Sequence, residues 1–317
     1  MIIQLFLYNQ DKNNHNMTDP WRGFYVQTLN LPVTKMNAAN QPIEYIQIEP
    51  DHWSKHEAQI IVETPVSLTV NGEVWLTFMC TPVDLEAMAL GFLFNEGMIK
   101  SIEEVASVRL CASGDNIDVW LKHSVEQPRQ WRRTSGCTGG VTAIEEDNLP
   151  ESSEVQPEII VNGSGLHPEQ ITTLIAALFE SQELYRQSGG VHTSALSDGQ
   201  KICVVGEDIG RHNTLDKIAG QCLLEPVELQ RRIILTTGRI SSEMIQKANR
   251  LGASVVISRT SPSSLSIKLA QRWGITLIGY ARRNRFRVYT HPQRIIINEI
   301  DKQTELQTTQ SRHPPTD

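Results

Sequence analysis

The sequence predicts an α/β protein with a smaller β-rich N-terminal domain, and three observations carry that prediction. Between residues 167 and 290, apolar strand-like runs alternate with helix-length segments, the pattern of right-handed crossovers joining largely parallel strands. Before residue 122, short apolar runs are joined by turn signals such as Asn71-Gly72, as in antiparallel sheets. A polar, acidic stretch from Glu145 to Glu158 separates the two halves. The expected division is a mobile extension over 1–50, a β-rich domain over 51–150, an α/β cofactor-binding domain over 151–294 and a polar tail over 295–317.

The elements follow in chain order. Residues 1–50 are polar and without period, the reason for reading them as an extension; Met17 and Met36 offer alternative starts. Ile60-Ile61-Val62 and Val66–Val70 read as strands, and Asn71-Gly72 as a two-residue hairpin turn into Val74–Met79. Thr81 then reads as the cap of a helix with Pro82 at its first position. Leu85, Met88, Ala89 and Phe92 share one face of that helix at 3.6-residue spacing, and Gly97 is placed to end it. A second hairpin turns at Ser113-Gly114-Asp115-Asn116. Pro168 opens a helix with Ile171, Leu174, Ile175 and Leu178 on one side. Residues 201–206 form a buried strand, and a helix runs from Asp208 through Ile218. Strands at 232–237, 254–258 and 275–280 then alternate with helices at 241–251 and 262–273.

Composition excludes several classes of function. The longest apolar stretches fall far short of the roughly 20 residues that span a bilayer. The first residues lack a basic n-region and a small-residue cleavage site, so the default compartment is the cytoplasm. The five cysteines, Cys80, Cys111, Cys137, Cys203 and Cys222, are odd in number and widely spaced, with no C-x-x-C. That argues against a disulfide framework and a structural zinc site. Cys80, Cys111, Cys203 and Cys222 read as small core residues. Cys137 differs: it lies in Ser135-Gly136-Cys137-Thr138-Gly139-Gly140, behind Arg132 and Arg133. Glycines permit close approach, and neighbouring arginines favour the nucleophilic thiolate.

The net charge of -7 hides an asymmetry. From Arg231 to Arg294 there are thirteen Lys and Arg and one acid, Glu243. In an open α/β sheet, ligands gather at the carboxyl ends of strands. Here those ends read Thr236-Thr237-Gly238-Arg239, Ser258-Arg259-Thr260 and Tyr280-Ala281-Arg282-Arg283-Asn284-Arg285. Two of them run into helices, whose N-termini favour phosphate. Arginine adds bidentate contacts, and Tyr280 offers a ring to a base. The set fits a nucleotide-bearing cofactor better than a long nucleic acid, which would want more interleaved aromatics. The polar cluster Glu207-Asp208-Ile209-Gly210-Arg211-His212-Asn213-Thr214-Leu215-Asp216-Lys217 reads either as a hydrogen-bonded helix start, with Asp208 capping and Arg211 paired to an acid, or as a site in which His212 is a proton shuttle or a metal ligand. A zinc deaminase would need H-x-E with P-C-x-x-C; His192-Thr193-Ser194 and the absent cysteine pair exclude it.

Six segments, in order, resemble the FdhD family of formate dehydrogenase accessory sulfurtransferases. They are Thr81-Pro82 with Ala89–Gly97, Ser135-Gly136-Cys137, Gly189-Gly190-Val191-His192-Thr193, Glu207–Asn213, Gly238–Glu243 and Gly274–Arg282. The resemblance spans about residues 60–294. It implies a three-layer α/β/α domain similar to cytidine deaminases but without the zinc, in a cytoplasmic homodimer. It implies that Cys137 takes sulfur from a cysteine desulfurase as a persulfide. The recipient would be the molybdenum (or tungsten) bis(molybdopterin guanine dinucleotide) cofactor, before its insertion into the formate dehydrogenase apoenzyme. The family's cofactor-binding segment falls on Tyr280, Ala281, Arg282, Arg283, Asn284 and Arg285. One departure is plain: many members carry C-x-x-C in the loop, and here the second position is Gly140. That motivates an alternative, a non-enzymatic chaperone that binds the cofactor and delivers it.

Overall fold

A computed structural model describes residues 39–128, 132–133, 141–142 and 165–296. Cys137, most of its loop, the acidic stretch 145–158, residues 1–38 and residues 297–317 lie outside the described residues.

Strands β1 (Asn40–Ile48) and β2 (Trp53–Ile61) pair antiparallel along their whole length as a two-stranded ribbon. The sequence reading assigns 40–48 to the extension. It misses the strand because apolar residues fall on both faces of the ribbon, Ile43 and Tyr45 on one and Ile46 and Ile48 on the other, so no one-sided alternation marks it.

Strands β3 (Thr64–Val70) and β4 (Glu73–Cys80) form the expected hairpin, with Asn71 at φ +49° and Gly72 at φ +87°, the paired left-handed turn that this dipeptide favours. Strands β5 (Val105–Leu110) and β6 (Asn116–Leu121) complete a sheet of order β4-β3-β6-β5. Its buried face, with Val66, Leu68, Phe78, Ile117 and Val119, packs on α1 (Leu85–Asn95). The helix starts later than the sequence suggests. Asp84, at φ +50°, holds the N-cap position, and Thr81 does other work: its N–H donates to Asp208 Oδ2 at 3.0 Å and its Oγ1 accepts from the Ile209 N–H at 3.1 Å. Helix α1 is buried on every side, including Leu85, Ala87 through Leu93 and Asn95, because a second helix covers what the sheet does not. That helix is α4 (Arg211–Leu224). A Cβ on Gly91 would stand 1.8 Å from the Asp216 carbonyl oxygen, and one on Gly220 1.7 Å from that of Ala87. Only glycine allows this backbone-to-backbone crossing. Two short strands, β7 (Arg132–Arg133) and β8 (Val141–Thr142), pair antiparallel on either side of the cysteine loop.

The larger half begins with α2 (Pro168–Glu180) and α3 (Glu183–Ser188), followed by β9 (His192–Ser197) and β10 (Ile202–Asp208). After α4 come β11 (Ile233–Thr236), α5 (Ser242–Arg250), β12 (Val255–Ser258), α6 (Ser264–Arg272), β13 (Thr276–Arg282) and β14 (Arg285–Val288). The sheet order is β10-β9-β11-β12-β13-β14. Only the β11–β12 and β12–β13 ladders are parallel; the other three are antiparallel. Of the strands read from the sequence, β11, β12 and β13 are parallel as expected; the antiparallel ladders all involve β9 or β14, two strands that the sequence reading lacks. The β9–β10 and β13–β14 connections are turns too short to hold a crossover. Even so, β10, β11, β12 and β13 all point the same way.

Alternate residues of these strands enter two separate cores. Ala195, Ile233, Leu235, Val255, Ile257 and Ile278 pack beneath α2. Leu196, Val204, Ile234, Val256 and Leu277 pack beneath α4, α5 and α6. A sheet apolar on both faces and covered on both is the three-layer α/β/α arrangement. Pro168 at the start of α2 and the buried Ile171, Leu174, Ile175 and Leu178 are as the periodicity requires.

Candidate cofactor site at the carboxyl edge of the sheet

Because β10, β11, β12 and β13 run in one direction, their carboxyl ends share one edge of the sheet. Helices α4, α5 and α6 start there, from Gly210, Ser241 and Ser263 respectively. The loops at this edge are laced together. The Ile240 N–H donates to the Ser261 carbonyl at 3.2 Å, the Ser263 N–H to that of Ile240 at 2.9 Å, and the Tyr280 N–H to that of Thr260 at 2.9 Å. Ser258 Oγ donates to the Gly238 carbonyl at 2.7 Å, and Thr236 Oγ1 accepts from the Gly238 N–H at 3.1 Å. Ser263 caps α6 through the Ser266 N–H. Ser241 makes no such cap on α5, which leaves the first N–H groups of that helix facing the edge.

Arginines line this edge as the sequence predicts. Arg239, Arg259, Arg282, Arg283 and Arg285 are exposed, and among the described residues none of them forms an ion pair with a carboxylate. Arg259 lies 5.0 Å from the centroid of the Phe179 ring. The β13–β14 ladder slips between Gly279 and Arg282, with Tyr280 at φ +52° and Arg283 at φ +51°. Left-handed non-glycine residues carry strain and gather at functional sites. The bulge leaves Tyr280 37 % exposed while Ala281 is buried; Arg282, Arg283, Asn284 and Arg285 follow it into solvent. The guanidinium of Arg287 sits 4.4 Å over the Tyr280 ring, so one face of that ring already holds a cation. Exposed guanidinium groups beside open helix N-termini suit phosphate chemically.

Next to the arginines lies a histidine pair. His192 opens β9, and its Nδ1 is 3.4 Å from Thr237 Oγ1, which also accepts from the Thr193 N–H at 3.1 Å. Burial holds the imidazole below its usual pKa, and Arg211 and Arg239 push it the same way. His212, in the first turn of α4, is buried; its Nε2 lies 3.3 Å from Ser241 Oγ and 4.0 Å from Glu243 Oε2. Burial lowers its pKa well below the ordinary value, with Lys247, Arg211 and His192 adding to the effect. Both rings are therefore neutral at pH 7. Arg211 is buried, its stem against Gly238, where a Cβ would come within 3.0 Å.

The acids of the predicted polar cluster serve the scaffold. Glu207 accepts from the Glu183, Leu184 and Tyr185 N–H groups at 2.9, 2.7 and 3.2 Å, satisfying the start of α3. Asp208 accepts from Gly210 and Asn213 and pairs with the buried Lys217 at 2.8 Å. Lys217 Nζ also donates to the carbonyls of Thr81 and Glu207. A second buried pair, Lys247 with Asp216 at 2.5 Å, takes a further hydrogen bond from Asn95. These two pairs fasten the β10–α4 loop and α5 to the smaller half. Lys217 and Asp208, nine residues apart, both belong to the polar cluster read from the sequence, although their pairing is visible only in the fold; Lys247 is missed because Asp216 lies 31 residues away in the chain.

Of the cysteines, Cys80 is buried, with its thiol pushed up to about 12, first by burial and then by Asp208. Cys111 is only partly buried. It sits in the β5–β6 turn, where its sulfur accepts from the Asn116 N–H at 3.1 Å, so its reading as a core residue is corrected. Cys203 and Cys222 are half-buried at the rim of the core. A cavity of about 760 Å³ is lined by Cys222, Arg232 and Arg250, and by none of Arg239, Arg259, Arg282, Arg283 and Arg285. Among the described residues no group of three His, Cys, Asp or Glu could hold a metal ion, and no helix is long and apolar enough to cross a membrane.

Comparison with known proteins adds to this geometry. A family model described as the FdhD/NarQ family matches residues 61–296. The sulfur carrier protein FdhD of Bacillus subtilis is 34% identical over 251 residues, covering 78% of this chain and 94% of that protein. Its namesake in Staphylococcus aureus is 34% identical over 244 residues, covering 76% and 91%. A crystal structure from Desulfotalea psychrophila, described as a formate dehydrogenase accessory protein, superposes with a TM-score of 0.66 at 31% identity, over 82% of this chain and 100% of that one.

Proposed function

The chain belongs to the FdhD/NarQ family, and from that premise we propose that it is a sulfur carrier that readies the cofactor of formate dehydrogenase. Cys137 accepts sulfur as a persulfide from a cysteine desulfurase. The Cys137 thiolate attacks the terminal sulfur of the donor's persulfide. A new S–S bond forms on Cys137, the donor's S–S bond breaks, and the electron pair leaves on the donor's thiolate. No external oxidant is needed. Arg132 and Arg133, a few residues earlier, favour the thiolate.

The recipient is the molybdenum (or tungsten) bis(molybdopterin guanine dinucleotide) cofactor, bound as substrate. Its phosphates lie on Arg239, Arg282, Arg283 and Arg285, and its guanine packs against Tyr280. The observation that supports this most is the row of exposed arginines without carboxylate partners among the described residues, set beside the N-terminus of α5. The family premise then supplies the cargo. Gly140 stands in place of a second loop cysteine, so release does not run by closure of a disulfide within the loop. The acceptor or another thiol attacks the outer sulfur, the S–S bond to Cys137 breaks with its electron pair on the Cys137 thiolate, and the attacking group supplies the electrons of the new bond to sulfur. The protein works in the cytoplasm as a homodimer and meets the formate dehydrogenase apoenzyme there.

The experiment is complementation of a strain lacking the gene, read as formate dehydrogenase activity. Cys137→Ala abolishes activity on this account. Gly140 favours one second reading, a cofactor chaperone. Under it Cys137→Ala complements fully, while Arg282→Ala with Arg283→Ala does not.

A further inference from the structure

The β1–β2 ribbon ends in a closed turn that stands in solvent. Its base touches α3 and lies near Gly190, where a Cβ would meet Ile61 at 2.8 Å. At the far end the Glu49 N–H donates to the His52 carbonyl at 2.9 Å, Glu49 Oε2 lies 3.5 Å from His52 Nδ1, and Gln47 Nε2 donates to Glu49 Oε1 at 2.9 Å. Pro50, with its φ fixed by the ring, stiffens the same turn. Two strands alone are marginal in water, yet this end holds large apolar side chains outside any core: Ile48 is 80 % exposed, Trp53 65 % and Ile46 57 %. The register places these three on one face, since Ile48 is opposite Trp53 and Ile46 opposite Lys55. An exposed apolar cluster rimmed by polar groups marks an interaction site. Asp51, between the two strands, is exposed and makes no ion pair among the described residues.

The complementary chemistry stands elsewhere on the same chain. The cavity of about 760 Å³, within the size range of recognition pockets, opens between the ends of α1, α4 and α5 and the loop 226–230. Phe94, Leu223, Val227, Leu229 and Leu251 give it apolar walls, and Arg232 and Arg250 give it positive charge. Arg232 donates to the carbonyls of Leu251 and Val227, both at 3.3 Å. Arg250 is exposed and has no carboxylate partner among the described residues. One acid, Glu228, also lines the cavity, and Lys55, the single lysine between Asn40 and Ile61, shares a face of the ribbon with Trp53. We propose that the ribbon turn of one copy docks in this cavity of a second copy, with Trp53 as its buried anchor, Asp51 on Arg250 and Lys55 on Glu228. A tryptophan seated in a partner's pocket is the usual energetic centre of an interface, and carboxylates pair well with guanidinium groups. Nine-residue strands at about 3.3 Å per residue reach roughly 30 Å, enough to cross to a neighbouring molecule. Two such contacts related by a two-fold axis close a dimer. Each copy then contributes the turn 48–53 and the twelve residues that line its cavity, close to the roughly 20–30 residues a side of a standard interface. None of the arginines assigned to the cofactor lines the cavity, so turn and cofactor do not compete for the same side chains. This inference rests on the homodimer reading above, and not on sulfur transfer.

Sedimentation velocity of the full chain tests it. Trp53→Ala, at a side chain exposed within one copy, weakens the dimer by about a hundredfold or more. Asp51→Arg and, separately, Arg250→Asp each weaken it by about tenfold or more. Mixed one to one, these two charge variants pair with each other, because in the mixed dimer one contact is native and the other exchanges the two charges. Hydrogen exchange of the unaltered protein supplies a second readout independent of whether the variants fold: amides in 46–53 and 226–232 gain protection together as concentration rises. An unaltered protein that stays monomeric removes the homodimer reading and this surface together. A dimer indifferent to all three substitutions, or a mixture that stays monomeric, overturns the surface and leaves the homodimer standing.

Discussion

Acidification should destabilise this fold through His212. The imidazole is buried, and Lys247, Arg211 and His192 all disfavour its protonated form; Glu243 Oε2 lies 4.0 Å from its Nε2. Its folded pKa is well below 6.5, whereas the unfolded chain titrates near the ordinary value. Between those two values the unfolded state binds more protons, so stability rises with pH and is lost as pH falls from about 6.5. From pH 7 to pH 5 the loss is at most about 1.4 kcal/mol for each pH unit below 6.5 over which the ring stays neutral in the fold. In a protein of this size each 1 kcal/mol is roughly 2–4 °C in Tm. The assay is thermal unfolding of the unaltered chain and of His212→Gln at both pH values. Other groups titrate in both proteins and cancel in the difference. The unaltered chain should lose more stability than the variant between pH 7 and pH 5. Equal losses would refute the claim that a buried neutral His212 sets the acid limit.

Three further outcomes follow from the packing and the edge. Gly220→Ala drives a Cβ into the Ala87 carbonyl; overpacking against backbone costs at least about 1–3 kcal/mol, seen as lost soluble yield and a lower Tm. Lys217→Met leaves Asp208 charged and buried, at a cost of about 3–5 kcal/mol in denaturant unfolding, and adding Asp208→Asn should recover part of it. Arg282→Ala with Arg283→Ala should weaken guanosine diphosphate binding about tenfold or more by calorimetry, with a shallower salt dependence than the unaltered chain.

Much of the fold was legible because its local and long-range preferences agree. Asn71-Gly72 fixed the first hairpin, Pro168 and four spaced apolar residues fixed α2, and the strand–helix alternation after residue 230 fixed the order of elements. The arginines stood out because three strand ends carried them together. What failed depended on contacts remote in sequence. Thr81 looked like a helix cap, but its partners are Asp208 and Ile209, more than a hundred residues away. The ribbon was invisible because neither face is buried. Strands β9 and β14, and their antiparallel ladders with them, are missed because His192–Ser197 continues a polar, glycine-led motif and Arg285–Val288 alternates arginine with apolar residues, so neither reads as an apolar run. Lys217 stands with Asp208 in the polar cluster the sequence marks, but Lys247 carries no local signal, because its carboxylate partner Asp216 is remote in the chain.

The central claim is that sulfur travels on Cys137. The direct measurement is mass spectrometry of the purified full chain after incubation with a cysteine desulfurase and isotopically labelled cysteine sulfur. The account predicts one labelled sulfur atom added to the peptide containing Cys137, removed by thiol reductant and absent from Cys137→Ser. A chain that gains no sulfur there, or one whose Cys137→Ser form still matures formate dehydrogenase fully, would contradict it.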